Sequence, residues 1–265
     1  LQDFCSTGNY VERGIKECHG FMTESFVEQE QYLTYVPADL RDLAVLTEPL
    51  TIAEKGLAQA WAAQKRLPWV RHYDGDQPTG KGLNAVILGA GPIGILGAMT
   101  MKAAGFETYV YNRSPAPNPK SKIIESIGAK YISSQDTTLE ELAALVGSVD
   151  LIYEAVGISA VAFESLSILG VNGVYIFTGI PAPGARIPID ANQMMRDVVL
   201  GNQAIIGTVN ADDASFKAAI SDLAYFKQHW PEAIEAVITE RFPVDDCREL
   251  LLGRATGIKN VISFA

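Results

Sequence analysis

Glycines at positions 89, 91 and 94 form the pattern G-x-G-x-x-G, whose spacing suits the binding of a phosphorylated ligand. In such a turn Gly89 permits a tight reversal, Gly91 leaves room for a pyrophosphate to touch the backbone, and Gly94 lets a helix approach a strand. Pro92 and Ile93 begin that helix, whose free amides and dipole favour negative charge. The motif predicts a dinucleotide site that includes these five residues; a purely structural glycine turn is the alternative.

The segments on either side of the turn are those that the motif requires. Residues 84–88 suit a buried parallel strand, and residues 93–104 are apolar at helical spacing and are followed by Gly105. A glycine pattern between a strand and a helix is a much more specific signal than the pattern alone.

The end of the next predicted strand, 106–111, indicates which dinucleotide is bound. A site that prefers NAD usually has an acidic residue here to bind the ribose 2′-hydroxyl, but this chain has Asn112, Arg113 and Ser114. A guanidinium can bind a 2′-phosphate through two hydrogen bonds, and a serine hydroxyl can add another. We therefore predict that NADP is favoured and NAD is tolerated; the alternative is that Arg113 is a solvated loop residue.

Composition limits the class of protein and its partners. The 265 residues are 48% hydrophobic and 20% charged, which is ordinary for a globular protein, and the net charge of −10 argues against a nucleic-acid partner. No apolar run approaches the roughly 20 residues that a membrane span requires. Three scattered cysteines are too few for a disulfide framework, so a cytoplasmic location is expected.

From residue 84 onward, strands and helices alternate with short connections, which predicts an α/β fold with a doubly wound parallel sheet of the Rossmann type. Asn210 follows the last strand, where ligands bind in open α/β sheets, so it is a candidate site residue. Glu154 lies on the fourth strand, is buried by pattern, and is equally compatible with a structural hydrogen-bonding role and a cofactor contact. The predicted strands are 84–88, 106–111, 130–132, 150–156, 173–179 and 203–209.

The flanking segments do not fit this alternation. Residues 1–47 are rich in glycine, aromatic and β-type residues, and a helix over 214–227 precedes a closing strand at 260–263. We therefore predict that 1–51 and 212–265 belong to a partly β domain and that 52–211 form the nucleotide-binding domain.

Motifs across the whole chain carry a resemblance to a known family. The chain resembles the archaeal glucose 1-dehydrogenase branch of the zinc-containing medium-chain dehydrogenases. Members of that family have a chaperonin-10-like (GroES-like) β domain that begins before the part matched here, so the resemblance implies an N-terminally truncated enzyme with an incomplete β domain. The motifs are Gln2-Asp3-Phe4-Cys5, Thr7-Gly8, Glu12-Arg13-Gly14-Ile15, His19-Gly20-Phe21-Met22, Glu48-Pro49-Leu50, Glu54-Lys55, the glycine turn, Asn112-Arg113 and Gly207-Thr208-Val209-Asn210.

The resemblance implies an activity and a role for several residues. The activity is oxidation of an aldose such as glucose at C1 to the lactone, with hydride transfer to NAD(P). Glu48 matches a catalytic carboxylate or amide that binds zinc or substrate, and Glu12 and Asn210 match substrate contacts. Asn210 also lies beside the nicotinamide, and Phe177 belongs to the cofactor site. Cys5 matches the fourth cysteine of a structural zinc lobe.

Two departures from the family pattern affect specificity. Ser114 replaces a second arginine found in some relatives, which should weaken discrimination for NADP, and Ile52 replaces a polar substrate contact. Zinc requires three protein ligands, and only Glu48 matches one of the catalytic set, so a metal in this chain is doubtful.

Other functions and assemblies remain compatible with these motifs. A non-catalytic NADP-binding module and a zinc-free quinone or enone reductase of the same fold are the alternative functions. The resemblance further implies a homodimer or homotetramer that forms through the last strand of the nucleotide sheet. We also expect the 1–47 region to expose unpaired strand edges and apolar surface.

Overall fold

The computed structural model describes residues 3–67, 73–74, 77–253 and 256–264. Its helices are α1 Thr47–Gln64, α2 Pro92–Ala103, α3 Pro119–Ser126, α4 Leu139–Val146, α5 Ser159–Glu164, α6 Ala191–Leu200, α7 Asp213–His229, α8 Pro231–Val237 and α9 Cys247–Leu252, with 3-10 turns at Glu30–Tyr32, Ala38–Leu46, Ser165–Ile168 and Val244–Asp246. Its strands are β1 Glu12–Arg13, β2 Glu17–Cys18, β3 Tyr73–Asp74, β4 Gln77–Pro78, β5 Asn84–Leu88, β6 Glu107–Asn112, β7 Lys130–Ser133, β8 Leu151–Glu154, β9 Val174–Phe177, β10 Ala204–Gly207, β11 Ile238–Pro243 and β12 Lys259–Ser263.

A six-stranded sheet forms the centre of the molecule. Its order is β10-β9-β8-β5-β6-β7, and every neighbouring pair is parallel. The chain therefore builds one half of the sheet outward from β5 and then crosses back to build the other half from β8. The six strands coincide with those expected from the sequence, which confirms the α/β Rossmann prediction.

Helices cover both faces of this sheet. One apolar core lies between the sheet and helices α1, α2, α3, α7 and α8, and a second lies between the opposite face and α4 and the turn Ser165–Ile168. Tyr153 of β8 is fully buried beneath α1 and α2, where Gly56 and Gly97 leave room for its ring. A Cβ at Gly97 would lie 2.6 Å from that ring, so close helix–sheet packing requires glycine there.

Helices α1 and α6 were not predicted from the sequence. Helix α1 contains Pro49, Thr51 and Gly56, which are weak helix formers, yet its small residues pack closely against α2 and α7. Burial of this face outweighs the low intrinsic propensity. The predicted domain boundary at residue 51 lies inside α1, and the division into domains stays a prediction.

The N-terminal segment contains little regular structure. Strands β1 and β2 are two residues long and form a separate two-stranded sheet. Large apolar side chains between residues 4 and 35 are exposed, including Val27 at 93% and Tyr35 at 81%. Within the described part of the chain, no helix combines the length and apolar character that crossing a membrane demands.

Candidate functional site

The glycine turn has the geometry that a dinucleotide requires. Gly89 has φ of +95°, a conformation that favours glycine, and a Cβ at Gly94 would lie 2.1 Å from the carbonyl oxygen of Gly89. A Cβ at Gly91, in contrast, would meet no protein atom within 4 Å. The first and third glycines are therefore needed by the fold itself, whereas the space beside Gly91 is open to a ligand.

The first turn of α2 is directed toward this space. Gly91 is the N-cap and makes no side-chain capping bond, and Pro92 occupies the first turn of the helix. Pro92 and Ile93 are half-buried beside the turn. The amides at the start of α2 are thus left for phosphate oxygens, which the helix dipole also attracts.

Asn112 connects the glycine turn to the neighbouring loop. Its Oδ1 accepts a hydrogen bond from the amide of Ala90 at 3.2 Å, and its Nδ2 donates to the Tyr131 hydroxyl at 2.8 Å. Tyr131 in turn donates to the carbonyl of Ser114 at 2.7 Å. Asn112 and Tyr131 therefore fix the loop that presents Arg113 and Ser114, both of which are exposed. Sequence reasoning did not identify Tyr131, because its hydroxyl reaches this loop only through the register of β7 with β6.

We expect the Arg113 guanidinium to bind the 2′-phosphate of NADPH. We expect Arg113→Ala to weaken NADPH binding by about tenfold or more and to change NADH binding by less than about twofold, because only NADPH carries the extra charge. Titration of each nucleotide by calorimetry measures this difference. Arg41→Ala, at another exposed arginine, is the matched control. Equal losses for the two nucleotides in Arg113→Ala would contradict the assignment.

Glu154 has a structural role at the carboxyl end of β8. Its side chain is 1% exposed and accepts hydrogen bonds from the amides of Val156 (2.8 Å), Gly157 (2.7 Å) and Gly179 (3.0 Å). These bonds hold the loops after β8 and β9 together beside the glycine turn. Phe177 ends β9, is half-buried, and packs against Tyr175 and Phe163.

The predicted substrate residues line a single cavity. Glu12 of β1, Glu48 of α1 and Asn210 after β10 surround a space of about 480 Å³, together with Cys5. Phe4 and Phe216 add apolar surface. The structure thus brings together residues that are far apart in the sequence, and carboxylates, an amide and aromatic rings are suited to a polar ligand with hydroxyl groups. We refer to this space as the Glu48 cavity.

Glu48 and Asn210 have different local surroundings. Glu48 lies in the first turn of α1 and is exposed, so its carboxylate lies close to the positive end of the helix dipole. Asn210 has φ of +61°, and its Nδ2 donates a hydrogen bond to the carbonyl of Asp3 at 3.2 Å. Asn210 is therefore held against the N-terminal segment, which also supplies Glu12 and Cys5.

The comparisons with known proteins give the same family as the sequence motifs. A family model described as the glucose dehydrogenase C-terminus matches residues 41–264. The chain belongs to the glucose dehydrogenase family. It is 32% identical over 260 residues to glucose 1-dehydrogenase from Methanocella arvoryzae, covering 98% of this chain and 69% of that one. It is 34% identical over 264 residues to glucose 1-dehydrogenase from Metallosphaera sedula, covering 99% of this chain and 70% of that one.

A solved structure of a glucose dehydrogenase has a similar fold and known ligands. The enzyme from Haloferax mediterranei, in complex with NADP, zinc and gluconolactone, superposes with a TM-score of 0.85 at 32% identity. The match covers 99% of this chain and 70% of that chain. The predicted membership of the glucose dehydrogenase branch is therefore confirmed.

The side chains of this glucose dehydrogenase family member supply few ligands for a zinc ion. Cys5 and Glu48 line the same cavity, and hydrogen bonding with Thr7 at 3.1 Å lowers the pKa of the Cys5 thiol. A protein zinc site uses at least three ligands, and the described residues contain no group of three or more His, Cys, Asp or Glu side chains that could hold a metal. The described residues do not by themselves complete a zinc site.

Proposed function

We propose that this protein oxidises glucose or a closely similar aldose at C1 to the lactone, with NADP as the preferred hydride acceptor. The observation that carries the proposal is the convergence of Glu12, Glu48 and Asn210 on one cavity in a glucose dehydrogenase family member. The open space at Gly91 supports the cofactor assignment, and the glucose 1-dehydrogenase relatives support the choice of sugar.

The residues of the Glu48 cavity have distinct tasks in this reaction. Glu12 accepts hydrogen bonds from sugar hydroxyls, and the Asn210 amide donates and accepts, so together they orient the ring. Glu48 accepts a hydrogen bond from the reacting C1 hydroxyl, and the proton of that hydroxyl passes to the Glu48 carboxylate as the carbonyl forms. NADP, when bound at the glycine turn, supplies the acceptor for the hydride from C1. The lactone is the two-electron oxidation product of the cyclic aldose.

Steady-state reduction of NADP with glucose tests the proposal, with and without added Zn²⁺ and with a chelator present. We expect turnover well above the rate without sugar, and a large loss of that turnover in Glu48→Ala, which removes every polar atom of the side chain. Tight NADPH binding without turnover under any of these conditions would favour the non-catalytic binding module instead. Reduction of quinones or enones that is indifferent to chelator, with no glucose oxidation, would favour the zinc-free reductase.

We further propose a homodimer that pairs through β10, which is an edge strand of the sheet. Ile205 on this strand is 40% exposed, and the neighbouring helix α6 exposes Val199 and Leu200. Ile205→Lys should convert the dimer to a monomer in light scattering, because a lysine on an edge strand opposes pairing. Leu145→Lys, at an exposed position of α4, is the control. An unchanged mass in Ile205→Lys would contradict this interface.

A cytoplasmic location is also proposed. The three cysteines are free, which suits a reducing compartment, and the NADP-linked reaction suits the same location.

A further inference from the structure

Lys55 lies behind the wall of the Glu48 cavity and joins three separate segments. It belongs to α1, its side chain is 13% exposed, and its Nζ donates a hydrogen bond to the carbonyl of Val209 at 2.6 Å. The same ammonium forms an ion pair with the carboxylate of Asp3. Hydrogen bonds from Ser215 lower the pKa of Asp212, the N-cap of α7, and the charge of Lys55 adds a smaller effect in the same direction.

These contacts converge on Asn210. Asn210 follows Val209, whose carbonyl Lys55 holds, and its own amide donates to the backbone carbonyl of Asp3, whose carboxylate Lys55 also holds. Asn210 has a left-handed backbone conformation, which is less populated than extended or helical backbone and needs support from its surroundings. The Lys55 ammonium therefore holds both the residue before Asn210 in the chain and the residue to which the Asn210 side chain is hydrogen-bonded.

We propose that Lys55 is a positioning residue for sugar recognition: it holds the loop after β10 and the N-terminal segment in register, so that Asn210 and Glu12 face the same ligand. Lys55 does not line the cavity itself. Its mostly buried ammonium is satisfied by a backbone carbonyl and a carboxylate, and a neutral side chain of similar length would leave both without their donor. We call the contacts of Lys55 with Val209 and Asp3 the Lys55 clamp. The kinetic consequence of this clamp rests on the proposed function, but the clamp itself does not.

The kinetic test compares Lys55→Met, Lys55→Arg and the control Lys65→Met, which changes an exposed lysine at the end of α1. We expect Lys55→Met to raise KM for glucose by about tenfold or more and to change kcat by less than about threefold. NADPH binding should stay within about twofold of the parent, because the glycine turn is unaffected. Lys55→Arg keeps the charge and donors and should restore most of the loss in KM. Equal KM values in Lys55→Met and the parent, or no rescue by arginine, would overturn the proposal.

Hydrogen exchange tests the clamp without requiring turnover. In Lys55→Met the amides of residues 208–211 should exchange about tenfold faster or more, while those of β5 stay unchanged. Unchanged exchange at 208–211 would overturn the clamp. Absence of glucose oxidation in the parent together with faster exchange in the variant would refute the proposed function and leave the clamp standing.

Discussion

Gly91→Ala should fold normally and lose NADPH binding, whereas Gly94→Ala should lose both stability and binding. A methyl group at Gly91 meets no protein atom within 4 Å, so its only obstacle is the pyrophosphate that would approach the backbone there. We expect NADPH affinity to fall by at least about tenfold, or about 1.4 kcal/mol. At Gly94 the methyl group would lie 2.1 Å from the Gly89 carbonyl oxygen, so the turn must open, at a cost of about 3 kcal/mol or more.

Thermal unfolding and NADPH titration on the same samples distinguish the two effects. Gly184→Ala is the matched control, because its methyl group would meet only one atom, at an ordinary 3.8 Å. Full NADPH affinity in Gly91→Ala would show that no dinucleotide passes over this turn and would remove the basis of the proposed function.

Glu54→Gln should stabilise the protein increasingly as pH rises from about 5 to about 9. Glu54 of α1 lies between α2 and α7, accepts a hydrogen bond from Thr100 at 3.0 Å, and is hydrogen-bonded to the Asp222 carboxyl. Burial, and then the nearby Asp222, raise the pKa of Glu54 to about 9. Burial also raises the pKa of Asp222.

The sign of the effect follows from proton binding. Between the ordinary pKa of 4.5 and about 9, the folded protein keeps a proton on Glu54 that the unfolded chain releases. Stability from this site is therefore complete below the ordinary pKa and is lost as pH rises toward 9. A glutamine keeps a donor for Asp222 and an acceptor for Thr100 but does not titrate, so we expect a gain of about 1–3 kcal/mol at neutral pH.

Urea unfolding at a series of pH values measures this gain. Glu125→Gln, at an exposed carboxylate on α3, is the control and should run parallel to the parent. A constant difference between Glu54→Gln and the parent across the whole pH range would show that Glu54 does not hold a proton in the folded state.

The central sheet and its glycine turn were predictable because their signals are local. Residues 85–88 are apolar without interruption, and the glycine spacing, the following helix and the neutral end of β6 all lie within about thirty residues, the size of one such βαβ unit. Helix α1 was not predictable in this way, since Pro49 and Gly56 reduce its propensity and only packing against α2 and α7 stabilises it.

The candidate site likewise has features that could be predicted from the sequence and features that depend on packing. Glu12 and Glu48 were named through a family resemblance, and Asn210 also through its place after the last strand of the sheet. Their meeting in one cavity depends on how β1, α1 and the end of β10 come together. The structure also gives different surroundings to two neighbouring residues that the sequence assigned to the same cofactor site. Asn112 is occupied in holding Ala90 and Tyr131, while Arg113 beside it is left exposed.

The sequence by itself determined the parallel sheet and the glycine turn between a strand and a helix, and it predicted phosphate binding there and a preference for a 2′-phosphate, because each depends on residue types at short fixed spacings. Only the tertiary structure decided the roles of Glu154, Lys55 and the Glu54–Asp222 pair. Each of these is a charged or titratable group whose partners lie on other elements or on the loops that follow them. Burial and partner geometry, which control what such a group does, arise only when those elements pack.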